Sequence, residues 1–491
     1  MDPLVVETSG GKVRGAARNG VCVFQGIPYG ADTGGAHRFQ PPRPTSWGGI
    51  REAFDCGPRS PQNEPPTSLP FLTWLRDTRA AAENCLVLNV YTPSPAGTSR
   101  LPVMVYLHGG GFVISSGGTP GVDGCNLARR DVVVVTLNHR LNLFGFLYLG
   151  DADGGRYADS GNAGVLDLVA ALEWVKENIA RFGGDPGNVT IFGQSGGGSK
   201  VATLMAAPRA QGLFHKAIIQ SASSLLSLAT LADAERNTFE FLRQLDLGRN
   251  QLRRLHELPA EVLLKAMAQA IAVVRTDHYR PVVDGRTLPC QPFEPAALQL
   301  SAGIPLMTGW CENEQRLTYA SNPAVYHQSE PQARVGTAQV LGVPEDQAAS
   351  LMAVYRDGRP QDTPGDLHAQ IVGDHRYRRS VTRAAELQAG NSGGAPVYLY
   401  LLNWKSPVLA GLLRTPHTLC IAFAFGNVDL ATGITGTGAD RYRLQDEMAG
   451  AWVAFARSGD PNHAGLPAWR PYATTDRASL VFDRETRLVN D

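Results

Sequence analysis

Ser195 lies in Gly193-Gln194-Ser195-Gly196-Gly197, a serine framed by small residues. A serine hydroxyl becomes a useful nucleophile only where a base takes its proton. Glycines at this spacing suit a sharp strand-to-helix turn that lifts the hydroxyl out of a sheet and sets it at a helix N-terminus, where the dipole favours negative charge. The chemistry served by such a serine is acyl transfer. A second run, His108-Gly109-Gly110-Gly111-Phe112, fits the same chemistry. Acyl transfer builds negative charge on a carbonyl oxygen, and backbone N–H groups aimed at that oxygen stabilise it. Glycines present consecutive N–H groups with no Cβ in the way. Gly110 and Gly111 are therefore assigned as two oxyanion donors and Gly196 as the third, with Phe112 expected at the substrate pocket.

These residues need elements to hold them. Asn188-Val189-Thr190-Ile191-Phe192 reads as a buried strand, and Ser199 to Ala206 as the helix that follows the serine. Leu86 to Tyr91, Pro102 to Leu107, Asp131 to Leu137 and His215 to Ser221 read as further strands, and Gly164 to Ile179 has the periodicity of a long helix. Strand and helix alternate through 100–225, which predicts an α/β fold with a mostly parallel sheet and helices on both faces. Residues 4–30 read as a small antiparallel meander, and residues 31–82, rich in Gly, Pro, Arg and Ser, as surface loops. Nothing resembles a linker or a repeat, so one catalytic domain over 1–491 is expected. Helical excursions at about 228–275 and 323–390 are expected to cover the active-site gorge.

Composition narrows the function classes. The chain has 491 residues, with 45 Lys and Arg against 45 Asp and Glu, so its formal net charge is zero. No basic stripe with interleaved aromatics points to nucleic acid. The seven cysteines form no C-x-x-C pair and no Cys/His cluster, so no metal site is expected. Their odd number fits a reducing compartment. The start, Met1-Asp2-Pro3-Leu4-Val5-Val6-Glu7, has neither the basic nor the apolar region of a secretion signal. No apolar run has the length of a membrane span. A cytoplasmic protein with a small-molecule ester substrate is the expectation.

Several motifs in chain order give the sequence a family likeness. They are Phe24-Gln25-Gly26-Ile27-Pro28-Tyr29, Gly109-Gly110-Gly111-Phe112, Asn138-His139-Arg140-Leu141, Gly161-Asn162-Ala163-Gly164, Phe182-Gly183-Gly184-Asp185-Pro186, the serine turn, Pro281-Val282-Val283-Asp284-Gly285 and Gly459-Asp460-Pro461. With them the chain resembles the type-B carboxylesterases, the branch of the α/β-hydrolase fold that includes bacterial p-nitrobenzyl esterases and animal cholinesterases. The resemblance implies an α/β-hydrolase fold and a triad in the order Ser, acid, His. It places the base just before a strand ending in F-x-F-G, which is His417 ahead of Phe423-Ala424-Phe425-Gly426. For the acid, the residues alone leave Glu312 and Glu314 open, both following the strand Pro305 to Gly309. The family spacing implies Glu314, with Glu312 a solvated loop charge. Ser221 matches a supporting serine near acid and base. The implied mechanism is an acyl-enzyme serine hydrolase that needs no cofactor. Relatives in oxidising compartments tie the position of Cys85 to an upstream cysteine, where this chain has Ser60, so that disulfide is expected to be absent. Gln315 stands where relatives usually have Gly after the acid.

The acyl pocket is expected near Arg275-Thr276-Asp277-His278-Tyr279-Arg280, since the resemblance places residues before the Pro281 motif there. Arg275, His278 and Tyr279 are the candidate substrate contacts, with Arg376, Arg378, Arg379 and Arg383 in a second segment near the gorge. Arginine binds carboxylates bidentately, which suggests acyl groups bearing carboxylate, such as the tricarballylate esters of fumonisins. Against this stands the plainer reading of solvated or paired arginines and a neutral aryl or alkyl ester. A carbamate or amide hydrolase with the same triad is an alternative. A non-catalytic cholinesterase-like interaction protein is the remote one.

Overall fold

Strands that are apolar on both faces must be covered on both faces, and the valine- and leucine-rich runs of this chain are arranged that way. A computed structural model describes residues 4–64, 69–95, 100–151, 153–275, 279–391 and 393–490. Among these residues seven strands lie parallel, in the spatial order Ala478–Phe482, Val397–Leu402, Leu306–Cys311, Lys216–Gln220, Gly184–Gln194, Leu101–Leu107 and Val133–Leu137. Antiparallel strands extend both edges: Arg487–Asn490 on one side, and Val87–Thr92, Val21–Pro28 and Ala16–Arg18 on the other. Side chains alternate across the strands. Val103, Val105 and Leu107 enter one core with the helices Ala163–Asn178 and Gly196–Met205. Met104 and Tyr106 enter the other, with Leu419–Phe425 and Asp440–Ser458. Among the described residues no helix is long and apolar enough to cross a membrane.

Three details differ from the sequence reading. The N-terminal meander is divided between two sheets. Val5–Thr8 pairs antiparallel with Gly11–Arg14, and Ile50–Glu52 adds to that pair in parallel. Ala16–Arg18 and Val21–Pro28 instead join the main sheet. Residues 31–82 are not all surface loop, because Pro70–Leu75 forms a 3-10 helix that buries Phe71 and Trp74. Finally, Phe423-Ala424-Phe425 belongs to a helix, Leu419–Phe425, not a strand. Every residue of that helix is buried, so it shows no amphipathic period, and Gly426 ends it at φ +71°.

The first excursion contains the helices Leu231–Gln244 and Ala260–Val274. In the second, Pro364–Gly373 runs through a π-helical turn, Asp374–Arg378, into Arg379–Ala389. Asp374 is buried in that turn, accepting from Tyr355 at 2.8 Å and Gln370 at 3.0 Å, with Arg378 at 3.8 Å. Burial pushes its carboxyl up to about 6, with Arg378 and the Tyr355 hydrogen bond acting the other way. An unfolded-chain aspartate titrates near pH 4. Between that pH and about 6 the native state therefore holds a proton that the unfolded state has lost, and this group makes stability fall as pH rises. Asp374→Asn should remove the slope. Relative to the parent, its unfolding free energy should gain about 2–3 kcal/mol between pH 4 and pH 7. Urea titrations across that range check this, and parallel pH profiles for the two proteins would contradict it.

Candidate active site

The strand Gly184–Gln194 and the helix Gly196–Met205 meet at Ser195 with no loop between them. Such a junction forces an unusual backbone, and Ser195 sits at φ 58°, ψ −125°. A non-glycine residue held there costs about 1–3 kcal/mol. The flanking glycines are required by space. A Cβ on Gly193 would come within 2.4 Å of the Gly197 backbone, and one on Gly197 within 2.0 Å of the Leu107 carbonyl oxygen. A Cβ on Gly196 would meet the backbone oxygen and nitrogen of Gly111 at 2.3 and 2.5 Å. The Ser195 N–H donates to the Gln220 carbonyl at 2.8 Å, which ties the turn to the neighbouring strand.

The glycine run after Leu101–Leu107 lies against this turn. Gly110 and Gly111 have φ of +79° and +64°, open to glycine at little cost. The N–H groups of Val113 and Ile114 close the loop on the Gly110 carbonyl at 3.2 and 3.1 Å. Behind the loop, Lys200 is fully buried and its Nζ donates to the His108 carbonyl at 2.7 Å. Burial holds this amine well below the ordinary lysine range. His108 and His139 stack beside it with centroids 5.2 Å apart, and both are held well below the usual histidine range, first by burial and then by Lys200. Phe112 does not point at a substrate pocket as expected. The two positive-φ glycines reverse the chain before it, so its ring is buried edge-on to Phe146 at 5.2 Å.

The residues expected as acid and base, Glu314 and His417, come from loops farther along the sheet. Past Leu306–Cys311 the chain turns back, and Glu314 is 2% exposed. Its Oε1 accepts the Cys311 N–H at 2.8 Å and its Oε2 lies 2.5 Å from Nδ1 of His417. The His417 N–H also donates to the Glu314 carbonyl at 3.2 Å, and Asn313 and Thr415 join the same two loops through a backbone bond of 3.0 Å. A carboxylate on Nδ1 fixes the proton there and leaves Nε2 with its lone pair. The Gln194 side-chain nitrogen lies 3.2 Å from that Nε2. From the π-helical turn, the Tyr377 ring packs on the imidazole with centroids 4.6 Å apart. Glu312 is not a solvated charge. It is largely buried in an ion pair with Arg359. Ser221 is buried at φ 49°, with its Oγ 3.9 Å from Sγ of Cys311, the residue whose N–H donates to the Glu314 carboxylate.

Ser195, His417, Gly109 and Gly110 border one cavity of about 680 Å³. Leu69, Leu72, Leu75, Leu317, Val122 and Ile421 supply much of the rest of its wall. A serine, a carboxylate-paired imidazole and a glycine loop around an apolar cleft make an arrangement suited to acyl transfer.

A model of the carboxylesterase family matches residues 2–490. The chain belongs to the carboxylesterase family. It is 36% identical over 500 residues to the para-nitrobenzyl esterase of Bacillus subtilis (strain 168), covering 100% of this chain and 97% of that one. It is 33% identical to the phenmedipham hydrolase of Pseudarthrobacter oxydans, covering 98% and 95%. The crystal structure of a Geobacillus stearothermophilus carboxylesterase superimposes with a TM-score of 0.86 at 37% identity, over 99% of this chain and 98% of that one. The fold is accordingly the α/β-hydrolase fold, and the protein is a carboxylic ester hydrolase.

The substrate contacts expected of this carboxylesterase are not brought to the cavity. Arg275 is exposed, capping the helix Ala260–Val274 at φ 54°. Tyr279 is buried against Phe241 with its hydroxyl donating to the Asn237 carbonyl at 3.4 Å. Neither borders the cavity, and His278 lies outside the described residues. Arg376 donates to Gln315 at 3.4 Å, Arg378 lies over the Trp310 ring, and Arg383 pairs with Glu386 at 3.1 Å. Described residues of the first excursion contribute nothing to the cavity wall, and the second reaches the site through Tyr377. The wall comes instead from 69–75 and 317–321. The signal for the former was the apolar run Pro70-Phe71-Leu72-Thr73-Trp74-Leu75, set within an otherwise polar stretch. The thiol of Cys85 meets the Ser60 side chain, and all seven cysteines are free.

Proposed function

We propose that the protein hydrolyses neutral aryl or alkyl carboxylic esters through an acyl-enzyme on Ser195. The observation that carries this reading is the His417–Glu314 pair at 2.5 Å on a cavity shared with Ser195 and Gly110. His417 Nε2 takes the Ser195 proton as Oγ attacks the ester carbonyl. Glu314 holds the Nδ1–H tautomer and stabilises the imidazolium. The N–H groups of Gly110, Gly111 and Gly196 receive the oxyanion. The C–O bond to the alcohol then breaks, and the alcohol leaves with the proton from His417. Water, deprotonated by the same imidazole, attacks the acyl carbonyl and returns Ser195. The free cysteines, with Ser60 beside Cys85, support a reducing, cytoplasmic setting.

The leucine-rich wall supports a neutral substrate. Of the arginines on the cavity, Arg59 is paired with Glu64, and Arg76 is exposed. A carboxylate-bearing acyl group would lose water there with little in return. The test is kcat/KM for a butyryl aryl ester against the matching succinyl half-ester. The neutral ester should be preferred by about 10-fold or more. A preference for the succinyl ester that disappears at high salt would overturn this choice and restore an anionic acyl site, with Arg76 its first candidate.

A further inference from the structure

Lys200 takes no part in the reaction just described, yet it occupies a position that stability alone does not explain. Its side chain is fully buried, and among the described residues it has no ion-pair partner. An apolar side chain of similar length would fill that space without desolvating an amine. The amine donates to the His108 carbonyl, the peptide that opens the glycine loop, and lies 5.7 Å from the centroid of the Phe112 ring at the loop's other end. Neutral or charged, it keeps an N–H for that bond. Lys200 also stands on the helix Gly196–Met205, about one turn beyond Gly196.

The oxyanion donors come from two pieces of chain. Gly110 and Gly111 belong to the loop, and Gly196 begins the helix. The pieces touch backbone to backbone, since a Cβ on Gly196 would lie 2.3 to 2.5 Å from three Gly111 atoms. The far side of the loop is fastened by Val113 and Ile114 on the Gly110 carbonyl, and by the Asn142 N–H on the Phe112 carbonyl at 2.7 Å. The near side is fastened by Lys200, and the other side-chain bond there is local, from His108 to its neighbour Gly109. We infer that Lys200 is a positioning residue, locking the loop that carries Gly110 and Gly111 onto the helix that carries Gly196. The inference rests on the donor assignment proposed above.

The test is Lys200→Met, which keeps the length and removes the donor. Active sites are counted by complete titration with a fluorophosphonate, so that misfolded protein does not enter the rate. Per titrated site, kcat for p-nitrophenyl butyrate should fall about 100-fold, the scale of a donor displaced by about 1 Å. KM should stay within about threefold, as for an interaction made in the transition state. The inhibition constant of an aryl trifluoromethyl ketone, whose hemiketal with Ser195 bears an oxyanion, should rise by the same factor as kcat falls. If Lys200→Met does not fold, Lys200→Leu, equally unable to donate, is read in the same way. Unchanged kcat per site and unchanged ketone binding, whatever the melting temperature does, would overturn the inference. Ser195→Ala is the control for the underlying reading: if it binds the ketone as tightly as the parent, the nucleophile assignment fails. If it loses the ketone while Lys200→Met keeps it, only the Lys200 inference fails.

Discussion

Ser195→Ala is expected to lower kcat for p-nitrophenyl butyrate by about 10⁴- to 10⁶-fold while the protein still folds, as losses of nucleophiles that act as a unit with their base do. Folding should survive because of where the residue sits. Ser195 holds φ 58°, ψ −125° through its neighbours: the Gln220 carbonyl that its N–H reaches at 2.8 Å and the glycines packed on the Leu107 and Gly111 backbones. Alanine has the same Cβ, so it meets the same strain and the same contacts. What is lost is one oxygen at the cavity surface. The melting temperature of the variant should match the parent while turnover collapses. Activity within about tenfold of the parent would mean that another group attacks the ester.

The second large effect is expected at Glu314. Its two oxygens are committed, one to the Cys311 N–H at 2.8 Å and one to His417 Nδ1 at 2.5 Å, and it is 2% exposed. In Glu314→Gln the oxygen stays with the Cys311 N–H, because an amide NH₂ there would face a donor. The NH₂ is then directed at Nδ1. The imidazole must turn its lone pair to that side and carry its proton on Nε2, where it can no longer accept from Ser195. A carboxylate-to-amide change at this place in a triad costs about 10⁴-fold in kcat through the wrong tautomer. Substrate affinity should change little, since Glu314 does not border the cavity. Measured kcat and KM for the variant decide the matter, and a loss below about tenfold would remove Glu314 from the proposed role.

Some of this was legible in the sequence for a physical reason. The serine turn needs glycines because backbone atoms approach within van der Waals distance, and only sequence can supply them. The strand Leu101–Leu107 announces itself because it is apolar on both faces. The pairing of Glu314 with His417 was not readable from residue types, since Glu312 is only two residues away. It needed the family likeness, and the loops joined by Asn313 and Thr415 give it a geometric basis. Phe112 was misplaced because two left-handed glycines redirect the chain just before it. Arg275 was misplaced because the resemblance located the segment but not the direction of its side chains. Leu69, Leu72 and Leu75 were missed because a 3-10 turn has too few residues to show a period. Tyr377 was hidden by the π-helical turn, whose widened spacing breaks the pattern on which helix-face arguments depend.

The spatial order of the sheet bears on how the activity arises during synthesis. Strands Leu101–Leu107 and Gly184–Gln194 are immediate neighbours, so the glycine loop and Ser195 can come together from the N-terminal part of the chain. Glu314 follows Leu306–Cys311, beyond Lys216–Gln220 in the sheet, and His417 follows Val397–Leu402, farther out again. On the proposed assignment, a polypeptide emerging from the ribosome carries the Ser195 hydroxyl long before it carries His417, its proposed base. A fragment that stops short of residue 417 has no complete site, however well its nucleophile turn is formed. On that assignment hydrolytic competence arrives late in translation, once Leu306–Cys311 and Val397–Leu402 have been added to a sheet whose first strands form its opposite edge.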